Sequence, residues 1–222
     1  WPYASCLIWY APYKHEAYGQ EEIDAVVESL KSGWLGGQGP KSIEFEEKIA
    51  KTFGKKYGVF VNSGSSACLL AIAALDLPKG TKIITPACTF ATTLAPIIQL
   101  GYVPVFVDVG LDTYCAIIDQ VIAKVTDDTS AIMLPNLIGN KPDWDKLKRY
   151  LVEMGRDDIF LIEDSADTLT KTPVTDVATT SFYASHVITA GGVGGMVMYN
   201  DKKHVTKCLQ YRDWGRLGDD SE

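Results

Sequence analysis

Short apolar runs alternate with segments of helical spacing along most of this chain, and that rhythm narrows the fold more than any other feature. Residues 57–61, 82–85, 103–107, 131–134, 159–163 and 195–199 read as strands. Helical patterns at 20–32, 65–75, 89–100, 117–124 and 143–153 alternate with them, and Pro40 opens another helix carrying Ile43, Ile49 and Phe53. A strand that is apolar on both faces cannot leave either face in water. Strands of this kind separated by helices therefore predict a mostly parallel sheet covered on both sides, a three-layer α/β/α domain. Residues 1–39 read as a leading arm and helix, and residues 40–222 as the domain proper.

A chain of 222 residues, 46% hydrophobic and 22% charged, can bury one substantial core. Its net charge of −7 argues against nucleic acid or an anionic membrane as the main partner. Local phosphate binding stays open, because helix ends and backbone N–H groups bind anions without net charge. The five cysteines, Cys6, Cys68, Cys88, Cys115 and Cys208, stand singly, with neither a disulfide framework nor metal-ligand spacing. Reduced thiols fit a cytoplasmic setting. Trp1 to Ala11 lacks the pattern of a signal peptide. The most apolar stretch, residues 91–109, is broken by Pro96, Gln99, Gly101 and Pro104, so it reads as helix then strand and not as a membrane span.

Three segments are candidates for carrying chemistry. Asn62-Ser63-Gly64-Ser65-Ser66-Ala67 joins a strand to a helix: its glycine and hydroxyls suit a phosphate, or Ser65 or Ser66 simply caps the helix. In Phe160 to Asp167, three apolar residues lead into Glu163, Asp164 and Asp167 at a strand's C-terminal end, where ligands bind in open α/β sheets. Those carboxylates suit a cationic ring nitrogen, a metal or a proton; the bland alternatives are a solvated strand end and, for Asp167, a helix cap. Ser181 to His186 precedes the glycine-rich run 191–195, which either cradles an anion or connects tightly into the next strand. A lone histidine such as His186 is either a base or structural. Phe90 suits stacking on a flat ligand or core packing. Arg212, Asp213 and Arg216 around Trp214 suit a phosphorylated substrate or a solvated helix end.

Taken in order, Gly33-Trp34-Leu35, Gly39-Pro40, Glu44-Phe45-Glu46, Asn62 to Ala67, Pro86 to Thr93, Glu163-Asp164 and Ser181-Phe182 resemble the DegT/StrS-type family of sugar aminotransferases and dehydratases. These are fold type I enzymes that use pyridoxal 5'-phosphate (PLP) or pyridoxamine 5'-phosphate (PMP). The resemblance spans about residues 31–216 and implies a PLP-dependent transferase-like large domain. It implies that Gly64, Ser65, Ser66 and Ser181 hold the cofactor phosphate. Phe90 would stack on the ring, and Asp164 would pair with its nitrogen.

His186 stands where family aminotransferases carry the Schiff-base lysine, five places after Ser181. An imidazole cannot form that link but is a competent base near neutral pH. The exchange, together with Asp167 where aminotransferases usually have glutamine, is similar to the lysine-less nucleotide-sugar 3-dehydratases. That branch implies a 4-keto-6-deoxy nucleotide sugar as substrate and His186 as the base. A sugar aminotransferase with its lysine elsewhere and an inactive cofactor-binding homologue are the alternatives. Cluster-bearing dehydratases carry cysteines after an Asp-Trp-Gly-Arg segment. Here Leu217 to Asp220 follow Asp213-Trp214-Gly215-Arg216, so the cluster-free kind, recharged by L-glutamate, is expected. The resemblance also implies a homodimer, to which residues 36–39 would contribute, and a smaller C-terminal domain that this chain lacks. No metal site is expected.

Overall fold

A computed structural model describes residues 18–34 and 38–216, divided into two compact units between Phe45 and Glu46. In the first unit, helix α1 (Gln20–Lys31) starts where the Glu22 carboxylate accepts a hydrogen bond from Gly19 N at 2.7 Å. Its apolar residues Ile23, Val26, Val27 and Leu30 are exposed. Helix α2 (Pro40–Thr52) crosses the division, and its buried residues Glu46, Ile49 and Ala50 belong to the second unit.

The second unit follows the expected alternation. It runs β1 (Tyr57–Val61), α3 (Gly64–Ala73), β2 (Lys82–Pro86), α4 (Ala91–Gln99), β3 (Val103–Val107) and α5 (Ile118–Ala123). Then come β4 (Thr129–Pro135), α6 (Trp144–Glu153), β5 (Phe160–Asp164), β6 (Val177–Ser181), β7 (Gly195–Tyr199) and α7 (Lys202–Arg212). The strands form one sheet in the order β1-β7-β6-β5-β4-β2-β3, with β7 antiparallel to both its neighbours and the other pairings parallel. Successive side chains of a strand point to opposite faces, and the core splits accordingly. Ile83, Met133 and Ile162 pack with α3, α4 and α7, while Ile84, Ile132, Leu134 and Leu161 pack with α5 and α6. The three-layer expectation holds. No described helix is long and apolar enough to cross a membrane.

β6 lies outside the expected strands. Val-Ala-Thr-Thr-Ser has no apolar run, yet all of it is buried beside β5. Its hydroxyls are satisfied internally, Thr179 Oγ1 by Asp164 and Thr180 Oγ1 by the Ser165 carbonyl at 3.0 Å. Arg212 is neither a solvated helix end nor a free anion site. Its guanidinium donates to Glu46 Oε1 and the Phe60 carbonyl, both at 3.2 Å, and to Asp213, tying α7 to α2 and β1.

The same alternation sends neighbouring acids of β5 in opposite directions. Glu163 faces α6 and meets Lys55 in an ion pair of 3.4 Å whose side chains are both fully buried. Lys55 also donates to Thr172 O and Thr175 Oγ1, and Glu163 also accepts from Thr175 Oγ1 and Asn136 Nδ2. Trp144 Nε1 closes the network on Asn136 Oδ1 at 2.9 Å. Burial pushes the Lys55 ammonium below its usual range, and the Glu163 charge opposes that shift. Lys55→Ala would leave a carboxylate buried without its cation, so urea unfolding should register a loss of about 3–5 kcal/mol. The paired change Lys55→Met with Glu163→Gln should recover part of it. A loss under about 1 kcal/mol for Lys55→Ala would show that the pair contributes little.

Candidate active site

In this topology the C-terminal ends of β1, β2, β4, β5 and β6 lie at one edge of the sheet, with the start of β7. Ligand sites form at such an edge. There, Thr89, Phe90, Thr93, Asn136, Asp164 and Asp167 line a shallow recess. Phe90 immediately precedes α4 and is 70% exposed, so it is a wall of this recess and not part of the core.

Asp164 is the buried charge of the recess. Its parity along β5 turns it away from the Lys55 network and towards α3 and α4. Thr93 Oγ1 donates to Oδ2 at 2.8 Å and Thr179 Oγ1 to Oδ1 at 3.3 Å. Burial pushes the Asp164 carboxyl above the ordinary range, and these neutral donors only partly offset the shift. A buried carboxylate surrounded by neutral donors is well matched to a cationic partner entering the recess.

A second corner forms where the loop after β1 meets β6 and β7. Ser63, not Ser65 or Ser66, caps α3, accepting from Ser66 N at 3.1 Å. Helix geometry then leaves the Gly64 and Ser65 N–H groups without intrahelical acceptors, at the positive end of the helix. The backbone approach is too close for side chains. A Cβ on Gly64 would stand 2.8 Å from Ser181 Cβ, and one on Gly195 would stand 2.4 Å from the Ser63 carbonyl carbon and oxygen. The Ser181 hydroxyl is brought against the helix start in this way, while accepting from Tyr183 N at 3.2 Å. Part of the glycine-rich run thus forms the tight connection into β7, and Ser63 bridges Gly194.

His186 meets Asp167: Nε2 lies 3.3 Å from Oδ1. No helix follows Asp167, so it is not a helix cap. An ionised carboxylate at that distance favours the proton on Nε2, which leaves Nδ1 with a lone pair. Nδ1 is buried and has no hydrogen-bond partner among the described residues. Tyr183 packs edge-on against the ring with centroids 5.8 Å apart.

Of the residues singled out in the sequence, Phe90, Asp164 and Asp167 share the recess, and Gly64, Ser65, Ser66 and Ser181 gather at the α3 corner. His186 joins the recess through Asp167. Residues 35–37 and 217–222, which bear on the proposed loop contribution and the missing cluster cysteines, lie outside the described residues. Thr179 and Asn136 went unnoticed in the sequence, and Thr93 was noted only as the end of the Pro86 to Thr93 motif. Asn136 follows an expected strand that ends at this edge, which was the available signal, whereas Thr179 lies on β6, which was not expected.

A carboxyl whose affinity for protons is higher folded than unfolded binds more protons in the native state between those two values, so it loses stability as pH rises through that interval. Asp164 is such a group. The ligand-free Asp164→Asn variant should therefore melt above the unmodified protein at neutral pH, with the gap closing in acid. A lower melting temperature for the variant at every pH would mean that Asp164 stabilises the bare fold.

The sequence profile of the DegT/DnrJ/EryC1/StrS aminotransferase family matches residues 16–222. A dTDP-4-dehydro-2,6-dideoxy-D-glucose 3-dehydratase from Saccharopolyspora spinosa is 39% identical over 193 residues, which is 80% of this chain and 41% of that protein. The GDP-4-keto-6-deoxy-D-mannose 3-dehydratase of Escherichia coli is 36% identical over 189 residues, 78% of this chain and 47% of that protein. A solved structure of an E. coli GDP-4-keto-6-deoxy-D-mannose-3-dehydratase with bound hydrated PLP matches with a TM-score of 0.77 at 32% identity, covering 89% of this chain and 52% of that one. The chain spans about half the length of these relatives. With the sheet order, the recess at its edge and the profile in agreement, this chain belongs to the DegT/DnrJ/EryC1/StrS aminotransferase family.

Proposed function

We propose that this chain is the cofactor-binding part of a PLP/PMP-dependent 3-dehydratase acting on a 4-keto-6-deoxy nucleotide sugar. The single observation behind the dehydratase reading is His186. By the resemblance it stands at the lysine position; it pairs with Asp167, which lines a recess without a lysine in its lining, and its Nδ1 has no hydrogen-bond partner among the described residues.

The residues present fit the cofactor. Asp164 supplies a buried carboxylate for a ring nitrogen, and Phe90 a flat wall. The Gly64 and Ser65 N–H groups with the Ser65, Ser66 and Ser181 hydroxyls supply a cradle for a phosphate, and Gly64 lets Ser181 approach the helix start because a Cβ there would meet Ser181. When bound, PMP supplies an amine for condensation with the C4 ketone of the sugar and a ring that accepts electrons as the C3 hydroxyl leaves. His186 Nδ1 is the proton acceptor, and Asp167 holds the ring and stabilises the imidazolium that results. Lys55, the buried lysine of the domain, is committed to Glu163 and so is unsuited to a covalent link. That arrangement disfavours the aminotransferase alternative, although the family contains such enzymes.

L-glutamate is the proposed amino donor, a homodimer the proposed assembly and the cytoplasm the proposed setting. The proposed layout is an arm and helix over residues 1–39 and a PLP-binding domain over 40–222. The proteins of known activity among the relatives differ in their nucleotide, so dTDP and GDP sugars are both candidate substrates.

The test incubates the protein with PLP, L-glutamate and a GDP- or dTDP-linked 4-keto-6-deoxy sugar and reads products by mass spectrometry. Loss of one oxygen from the sugar, with 2-oxoglutarate formed, is expected. His186→Asn should lower that turnover by at least about 10²-fold while retaining PLP. An amino sugar as the product, or unchanged turnover in His186→Asn, would contradict the reading.

A further inference from the structure

The hydroxyls around Asp164 form a directed chain that the reaction scheme does not use. Thr89 Oγ1, at the recess wall, donates to Thr93 Oγ1 at 3.0 Å, and Thr93 Oγ1 donates to Asp164 Oδ2 at 2.8 Å. A hydroxyl has one proton to give, and that of Thr93 is committed to the carboxylate. Accepting from Thr89 polarises it further in the same direction. Thr179 Oγ1 serves the other carboxylate oxygen, with Cys68 Sγ 3.5 Å behind it. Thr93 and Thr179 are fully buried, so water cannot replace either donor without reorganisation.

Among the described residues no cation donates to Asp164. The elements packed around Asp164, namely α3, α4, β4 and β6, contain no Lys, Arg or His, and Cys68 is their one ionisable side chain. Burial drives that thiol well above its usual range, which keeps it neutral. Asp167 shares the recess lining and is paired with His186. Glu163, next along β5, points to the other face with Lys55.

We propose that Thr93, assisted by Thr179, is a positioning residue that keeps Asp164 ionised and its carboxylate aimed into the recess. A cationic ring nitrogen then meets a charge and not a neutral acid. This last step rests on the cofactor reading above, whereas the effect on Asp164 itself belongs to the ligand-free protein.

The experiment is a ¹³C NMR titration of the Asp164 carboxyl in ligand-free protein, with the resonance assigned by its loss in Asp164→Asn. In Thr93→Val the midpoint should rise by about one pH unit, because a donor to the charged form is gone while the volume is kept. Thr93→Ser should return it to the unmodified position. Thr89→Val, which removes only the polarising neighbour, should raise it by less. A Thr93→Val midpoint equal to that of the unmodified protein would overturn the proposal, as would a Thr93→Ser midpoint no lower than that of Thr93→Val. PLP affinity, followed by cofactor absorbance, should fall about tenfold in Thr93→Val. If the unmodified protein binds no PLP, the cofactor reading fails, and the role of Thr93 is decided by the carboxyl titration alone.

Discussion

Asp164 enters the interior at the end of β5 with hydroxyls and a thiol for neighbours and no basic side chain on the elements around it. Burying a carboxylate in such company is unfavourable unless a cation arrives or the group takes up a proton. Much of the site serves this one constraint. β6 is polar and buried because Thr179 serves Asp164, and the start of α4 is threonine-rich where Thr93 does the same. The opposite face of β5 handles its own acid differently, with a fully buried Lys55–Glu163 pair held by Asn136, Thr175 and Trp144. One acid is neutralised within the fold and anchors the strand ends. Its neighbour has hydroxyl donors in place of a cation.

Close backbone approach does the complementary work at the α3 corner. Ser181 can reach the start of α3 only because Gly64 has no Cβ, and β7 can begin there only because Gly195 has none. Hydroxyls and N–H groups are thereby gathered without any lysine or arginine, which suits a protein whose net charge is −7. The helix start with its hydroxyls and the buried carboxylate thus stand at the same edge of the sheet. His186 pairs with Asp167 through Nε2, and its buried Nδ1 has no hydrogen-bond partner among the described residues.

The layered fold was legible because its strands are apolar on both faces; the bounds of β1, β3 and β7 agree with the sequence reading to the residue. β6 was hidden because its burial depends on hydrogen bonds to Asp164 and Ser165, and a run of threonines does not announce its partners. Lys55 was hidden for the same reason: a lysine at a helix–strand turn looks solvated until Thr175 and Glu163, more than a hundred residues on, are brought against it. Ser63 took the cap expected of Ser65 or Ser66, a shift of register that only the helix start could decide. Candidate site residues were legible where they sat at strand ends in a recognisable order. Their supporting shell, above all Thr93 and Thr179, was not, because its role lies in distances across the sheet.

The central claim is a cofactor site that works without a covalent lysine. Its most direct test is borohydride reduction of the PLP-loaded protein, followed by digestion and peptide mass spectrometry. The prediction is that PLP is retained before reduction and that no lysine-containing peptide gains the mass of a reduced pyridoxyl group. A pyridoxyl-lysine at any position in stoichiometric yield would contradict it and return His186 to a structural role.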